Sequence, residues 1–159
     1  MCIALSMSAQ ELPKVLSGSI QRLTDFNSKF VTSRNIDIWL PEGYTESKKY
    51  SVLYMHDGQM LFDAKTTWNK QAWNADQTIT RLMKSGQLSP TIIVGIWNNG
   101  QFRHSEYFPE KFLPHMPEAP RQMLIQKGLR DKPQSDAYLR FLVEELKPYI
   151  DTKIGRAHV

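Results

Sequence analysis

Two short, uncharged runs constrain this chain more than anything else in it: residues 50–55 (YSVLYM) and 91–97 (TIIVGIW). Both are too short for a packed helix, and both are rich in β-branched, aromatic and aliphatic residues, so they read as buried strands. The first runs into His56-Asp57-Gly58 and the second into Asn98-Asn99-Gly100, residues that turn a chain. Between them Ile79, Leu82 and Met83 fall at helical spacing, with Asn74 placed as an N-cap and Ser85-Gly86 as a stop. Strands alternating with helices predict an α/β layered fold with a largely parallel central sheet.

The flanking segments fit that plan. Residues 20–34 read as a strand or an early hairpin, and residues 35–40 begin by alternating polar and apolar side chains before Pro41-Glu42-Gly43-Tyr44 breaks them. Five prolines, at 109, 114, 117, 120 and 133, make residues 108–133 a long excursion with room for a short helix around 121–127. A last helix spans 136–147, where Leu139, Leu142, Val143 and Leu146 predict one apolar face. Trp73 and Trp97 read as core residues. Trp68, in a polar Thr66-Thr67-Trp68-Asn69 loop, is the tryptophan best placed to touch a ligand.

Composition removes several classes of function. A length of 159 residues fits one globular domain. No stretch approaches the roughly 20 apolar residues of a membrane-spanning helix. Cys2 is the single cysteine, so an internal disulfide framework and a cysteine-cluster zinc site are both excluded. The formal charge of +4 is scattered, and the densest basic group (Arg121, Lys127, Arg130, Lys132) lies among prolines without interleaved aromatics. Nucleic acid is therefore not expected as a partner. There is no phosphate-binding glycine loop, dinucleotide fingerprint, His-Glu-x-x-His or Gly-x-Ser-x-Gly. His56, Asp57 and Asp63 lack diagnostic ligand spacing, so no metal and no cofactor is expected.

The chemistry concentrates in Tyr54-Met55-His56-Asp57-Gly58-Gln59. In an open α/β sheet, ligands bind beyond the carboxyl ends of the strands, and this loop begins at such an end. Glycine permits a sharp turn that aims the following amides outward, the construction of an oxyanion hole. An ordinary strand-to-loop turn is the alternative from the residues alone. A second element, Arg103-His104-Ser105-Glu106-Tyr107-Phe108-Pro109, falls on the same expected edge, with Arg103 and Glu106 placed to form an ion pair beside the loop.

Five segments, in order, carry a resemblance. They are Ile38-Trp39-Leu40-Pro41-Glu42-Gly43-Tyr44, Val52-Leu53-Tyr54-Met55-His56-Asp57-Gly58-Gln59 and Ile92-Ile93-Val94-Gly95-Ile96, then Arg103-x-x-Glu106-Tyr107-x-Pro109, then 136–151. Together, over about residues 16–151, the chain resembles the putative-esterase family of the α/β-hydrolase superfamily, which includes enterochelin-esterase-like and feruloyl-esterase-like enzymes. The resemblance implies a serine carboxylic-ester hydrolase acting on a carbohydrate-linked or siderophore-type ester. It gives Gln59 an oxyanion backbone amide and makes Gly58 the residue that allows the turn. Asp57, His56, Trp68 and Arg103 become substrate-binding candidates. It also implies that the nucleophilic serine, acid and histidine follow in chain order, whereas this sequence stops before any of them. The strand ending at Met55 would then lack the neighbour that carries the nucleophile. The fragment alone is expected to be inactive.

Three regions follow: 1–10, 11–153 as a partial esterase-like domain, and 154–159. The start, MCIALSM, gives Ser6-Met7-Ser8 ahead of Ala9, a partial signal-peptidase site; it reads either as the remnant of a signal peptide or as a short disordered start. The first reading implies a periplasmic or secreted protein and the second leaves a cytoplasmic one. IGRAHV at the end looks like the translation of a common sequencing adapter, leaving a non-native tail or a native short one. A non-catalytic ligand-binding domain or pseudoenzyme using the same loops is the competing function.

Overall fold

The computed structural model describes residues 11–154. Cys2 and the leader-like start lie outside them, and of the 154–159 segment only Ile154 is described, buried at the edge of the core. Four strands form one sheet: β1 (Ser19–Phe26), β2 (Arg34–Leu40), β3 (Ser51–His56) and β4 (Thr91–Ile96), in the order β1-β2-β4-β3. Helix α1 (Ala75–Lys84) crosses from β3 to β4, so these two strands run parallel, with His56 opposite Ile96. The early hairpin is real. β1 and β2 pair antiparallel, and β2 also runs antiparallel to β4. The fold is α/β, but among the described residues the expected parallel pairing holds only for β3 and β4. A hairpin return needs no crossover helix, and none separates β1 from β2.

Each face of the sheet buries its own cluster. Ile36, Ile38 and Leu40 of β2 join Ile92, Val94 and Ile96 of β4 on one face. Trp39 and Ile93 point to the other face, against Leu61, Phe62, Ala75 and Ile79. β4 is buried throughout, as its sequence implies. β2 is nearly as buried, although it carries Asp37. Arg22, directly opposite in register, donates to that carboxylate at 2.6 and 2.9 Å, and Trp97 Nε1 adds a third donor at 2.9 Å. β3 departs from expectation. Ser51, Leu53 and His56 are exposed, because among the described residues β3 pairs only with β4 and forms the sheet edge.

Helix α1 begins one residue after Asn74, yet Asn74 is left-handed (φ 52°) and its side chain does not cap the helix. Its Oδ1 accepts from Gln77 Nε2 instead. Short helices α2 (Arg103–Tyr107) and α3 (Glu118–Met123) follow β4, and α3 continues into a π-helical turn at Leu124–Gly128. The final helix is longer than its apolar pattern suggests. α4 (Ser135–Arg140) passes through a π-helical stretch, Phe141–Leu146, into α5 (Lys147–Lys153).

That wide stretch rotates the helix face. The buried apolar residues from α4 to α5 are Tyr138, Phe141, Leu146 and Ile150, while Leu139 and Val143 are 54% and 64% exposed. A π turn takes more residues than the 3.6 of an α-helix, so the step from Phe141 to Leu146 is five and the regular spacing fails there. The widened turn precedes Pro148, which sits at the start of α5, where a missing N–H is tolerated.

This register is testable by urea unfolding of the chain. Phe141→Ala is expected to cost about 3–5 kcal/mol, the usual loss for a fully buried aromatic ring. Val143→Ser should change stability by less than about 0.5 kcal/mol, as an exposed position does. The reverse ranking would restore the regular helical face.

Candidate functional site

Because β3 and β4 are parallel neighbours, their carboxyl ends open side by side, and β2 brings Arg34 to the same end. The residues after β3 form a tight 3-10 turn, Gly58–Met60, entered through Asp57. Asp57 holds the left-handed conformation (φ 54°, ψ 43°), so the positive φ falls on the aspartate and not on the glycine. Gly58 is needed for space. A Cβ there would lie 2.4 Å from the carbonyl carbon of Gly95 and 2.8 Å from the Ile96 nitrogen. The turn thus packs directly on the β4 backbone, where Gly95 is also bare. The turn's leading amides, those of Gly58 and Gln59, have no acceptor within the turn itself, as at any helix start. The Gln59 side chain is occupied, its Oε1 accepting from the Asn98 amide at 3.2 Å.

Helix α2 closes over this turn. Arg103 donates to Asp57 through Nε (2.8 Å) and Nη2 (2.6 Å), Asn98 Nδ2 donates to the same carboxylate at 2.7 Å, and Tyr107 Oη lies 3.5 Å away. The expected Arg103–Glu106 ion pair therefore does not form. Glu106 turns inward and binds the Arg34 guanidinium at 2.6 and 2.8 Å, with both side chains essentially fully buried. Three residues apart on a short helix, the two charges find different partners, one on β2 and one in the turn after β3.

Burial acting alone would raise the pKa of Asp57. Hydrogen bonds from Arg103 and Asn98, helped by the Arg103 charge, outweigh it and hold the carboxyl below the usual range. Its carboxylate accepts three hydrogen bonds from these two side chains. Arg103 is held reciprocally above its ordinary value by the Asp57 hydrogen bond, and its guanidinium lies 5.0 Å from the Tyr107 ring centre.

His56 stands beside this network. Its ring lies 5.0 Å from Tyr107 and 5.6 Å from Tyr138, and Nδ1 shares a hydrogen bond with Tyr138 Oη at 2.8 Å. Desolvation pulls the imidazole pKa down, against the neighbouring Asp57 charge, while burial pushes Tyr107 up to about 12. A cleft of about 390 Å³ opens here, lined in part by His56, Tyr107, Glu110, Tyr138 and Leu142.

The structure brings His56, Asp57, Gly58, Gln59 and Arg103 together. Trp68 is not bound into this group. It is 85% exposed, and Trp73 is 51% exposed. The indole that fills the core is Trp39, and Trp97 is tied to Asp37. Sequence reasoning passed over Asn98, Tyr107 and Tyr138 as site residues. Asn98 and Tyr107 lay in segments already marked, but nothing in their local spacing points to Asp57. Among the described residues no serine is hydrogen-bonded to a histidine: Ser105 Oγ donates to the Leu129 carbonyl, and Ser135 Oγ accepts from the Glu110 amide. Nor does any described group of His, Cys, Asp and Glu side chains form a metal cluster. No described helix is long and apolar enough to cross a membrane.

Comparison with known proteins agrees with this architecture. A family model described as Putative esterase matches residues 28–159. A ferulic acid esterase from Anaeromyces mucronatus, solved with ferulic acid, is 23% identical; the match covers 96% of this chain and 48% of that one, at a TM-score of 0.51. An IroE-like serine hydrolase from Shewanella oneidensis is also 23% identical, with 87% and 40% covered and a TM-score of 0.56. The BES protein from Bacillus cereus is 21% identical, with 96% and 52% covered and a TM-score of 0.52. These likenesses establish a shared α/β fold. The chain spans about half the length of the proteins it resembles, or less.

The close approach of the two glycines gives a direct test. Gly58→Ala forces a methyl group into the β4 backbone, and by the usual cost of overpacking it should lose about 1–3 kcal/mol in urea unfolding. Unchanged stability would mean that the turn does not rest on Gly95.

Proposed function

The chain belongs to the putative-esterase family, and from that premise we propose that it carries the oxyanion half of a serine carboxylic-ester hydrolase. One observation supports this most: a 3-10 turn follows the carboxyl end of β3 directly, entered through a left-handed residue and led by the amides of Gly58 and Gln59. In such an enzyme a serine hydroxyl attacks the ester carbonyl carbon while a histidine accepts its proton. The carbonyl oxygen becomes an oxyanion, to which the Gln59 N–H donates. Collapse of this intermediate expels the alcohol, protonated by the same histidine, and water releases the acid in a second round. Donors fixed before the reaction stabilise the developing charge without reorganising, which is why a rigid turn suits the task.

The nucleophile, its histidine and its acid are proposed to come from sequence outside these 159 residues. This accords with the absence of a Gly-x-Ser-x-Gly and of any serine–histidine pair among the described residues. A carbohydrate-linked or siderophore-type ester is the proposed substrate class, in line with the family and with the ferulic acid esterase of the same fold.

A fluorophosphonate probe and an aryl acetate test the division of labour. The 159-residue chain should show no specific serine labelling and no hydrolysis above background. Stoichiometric labelling of one serine would overturn it. In a longer chain that does hydrolyse the ester, Gln59→Pro deletes the amide and should lower kcat about 10²–10³-fold, the loss seen for one oxyanion donor. Gln59→Ala keeps the amide and should retain most of the rate. Equal activity of the two variants would remove Gln59 from the oxyanion site.

A further inference from the structure

We propose that Arg103 is a positioning residue: its two-pronged grip on Asp57 imposes the left-handed backbone that aims the Gly58 and Gln59 amides. The inference rests on the oxyanion reading for its purpose, though not for its geometry.

Left-handed backbone is unfavourable for any residue with a Cβ, and it persists where the surroundings over-determine it. Aspartate usually reaches this region by bonding its own nearby backbone. Asp57 does not, because its side chain makes no capping bond to the turn it begins. Instead Oδ1 and Oδ2 accept from Arg103 Nε and Nη2, and Oδ1 also accepts from Asn98 Nδ2. The conformation is therefore set by residues 41 and 46 positions away. A bidentate arginine fixes the plane of a carboxylate as well as its place, which a lysine cannot do.

Arg103 is itself held. Its guanidinium packs against the Tyr107 ring, and Glu106 on the same helix is anchored to Arg34 in the core. Nε and Nη2 are both committed to Asp57, so the arginine serves the turn whatever else its exposed edge meets.

The groups facing Asp57 are Arg103 and Tyr107 from α2, Asn98 from the loop after β4, and His56 from the last position of β3, backed by Tyr138 of α4. The carboxyl is held below its ordinary range, so the grip is intact above the ordinary carboxylate pKa and is released as pH falls through the lowered value.

Nuclear magnetic resonance on the 159-residue chain tests this without an ester. Carboxyl-carbon titration reads the Asp57 midpoint, and amide exchange at Met60 and Leu61, which donate to the Asp57 and Gly58 carbonyls, reads the turn, with the Val94 amide of β4 as the fold reference. Arg103→Gln should raise the Asp57 midpoint and speed exchange at Met60 and Leu61 about 10-fold, while Val94 stays protected. Arg103→Lys should restore the midpoint in part but not the exchange rates, since it keeps the charge and loses the fork. Asp57→Asn, which tolerates left-handed backbone, should make a second change at Arg103 nearly silent.

An unchanged midpoint and unchanged exchange in Arg103→Gln overturn the proposal. So does loss of Val94 protection in both Arg103 variants, which would make the pair a general stabiliser. The esterase reading fails separately: Gln59→Pro could prove harmless to hydrolysis while the grip on Asp57 stands.

Discussion

The buried pair between Arg34 and Glu106 is the contact on which the arrangement of this molecule turns. Two full charges removed from water cost several kcal/mol each, and only close mutual hydrogen bonding offsets that cost. Here both guanidinium–carboxylate bonds are short, and the Arg34 guanidinium also lies 5.2 Å from the ring centres of Tyr138 and Phe141. One side chain from β2 thus ties together the sheet, α2 and the long C-terminal helix. Moving α2 by even one turn would strand Glu106 in the core, a penalty of about 3–5 kcal/mol. The position of α2 is consequently fixed, and Arg103 and Tyr107 travel with it.

From that anchor the order of the site follows. Helix α2 lies over the carboxyl ends of β3 and β4, and its arginine reaches Asp57 at the head of the turn after β3. The underside of the same turn is set by contact between bare backbones at Gly58 and Gly95. A turn gripped from above by charge and seated below on glycine is preorganised, which is the property an oxyanion site requires.

Much of this was legible in the chain. Residues 91–97 gave a buried strand because both faces of β4 are covered, and the His56-Asp57-Gly58-Gln59 loop was marked because turn residues follow an apolar run at once. The rest depended on distance or on exceptions. The Asp57–Arg103 pair joins residues 46 apart, while sequence spacing suggested the local pair Arg103–Glu106 instead. Leu139 and Val143 fit a 3.6-residue period that the π-helical stretch breaks, so apolar residues ended outside and Phe141 inside. Tryptophan position was equally opaque. Trp39 fills the core and Trp68 faces water, since burial follows strand parity and loop path rather than side-chain type.

The place of β3 explains why lateral restraint matters so much. A strand inside a sheet is held on both sides by backbone hydrogen bonds, and the loop at its end inherits that rigidity. Among the described residues β3 has β4 on one side only, and Leu53 is 39% exposed along it. Half of its hydrogen-bonding capacity therefore contributes nothing to the turn it supports. Within this chain the missing restraint is supplied by side chains. Tyr138 Oη holds His56 at the last residue of the strand, and Arg103 with Asn98 holds Asp57 at the next. Two consecutive residues are thus fixed, His56 from α4 and Asp57 from α2 and the loop after β4. The turn at Gly58 and Gln59 meets docked helices on one side and the β4 backbone on the other, and the position of α2 is governed by the charge pair in the core.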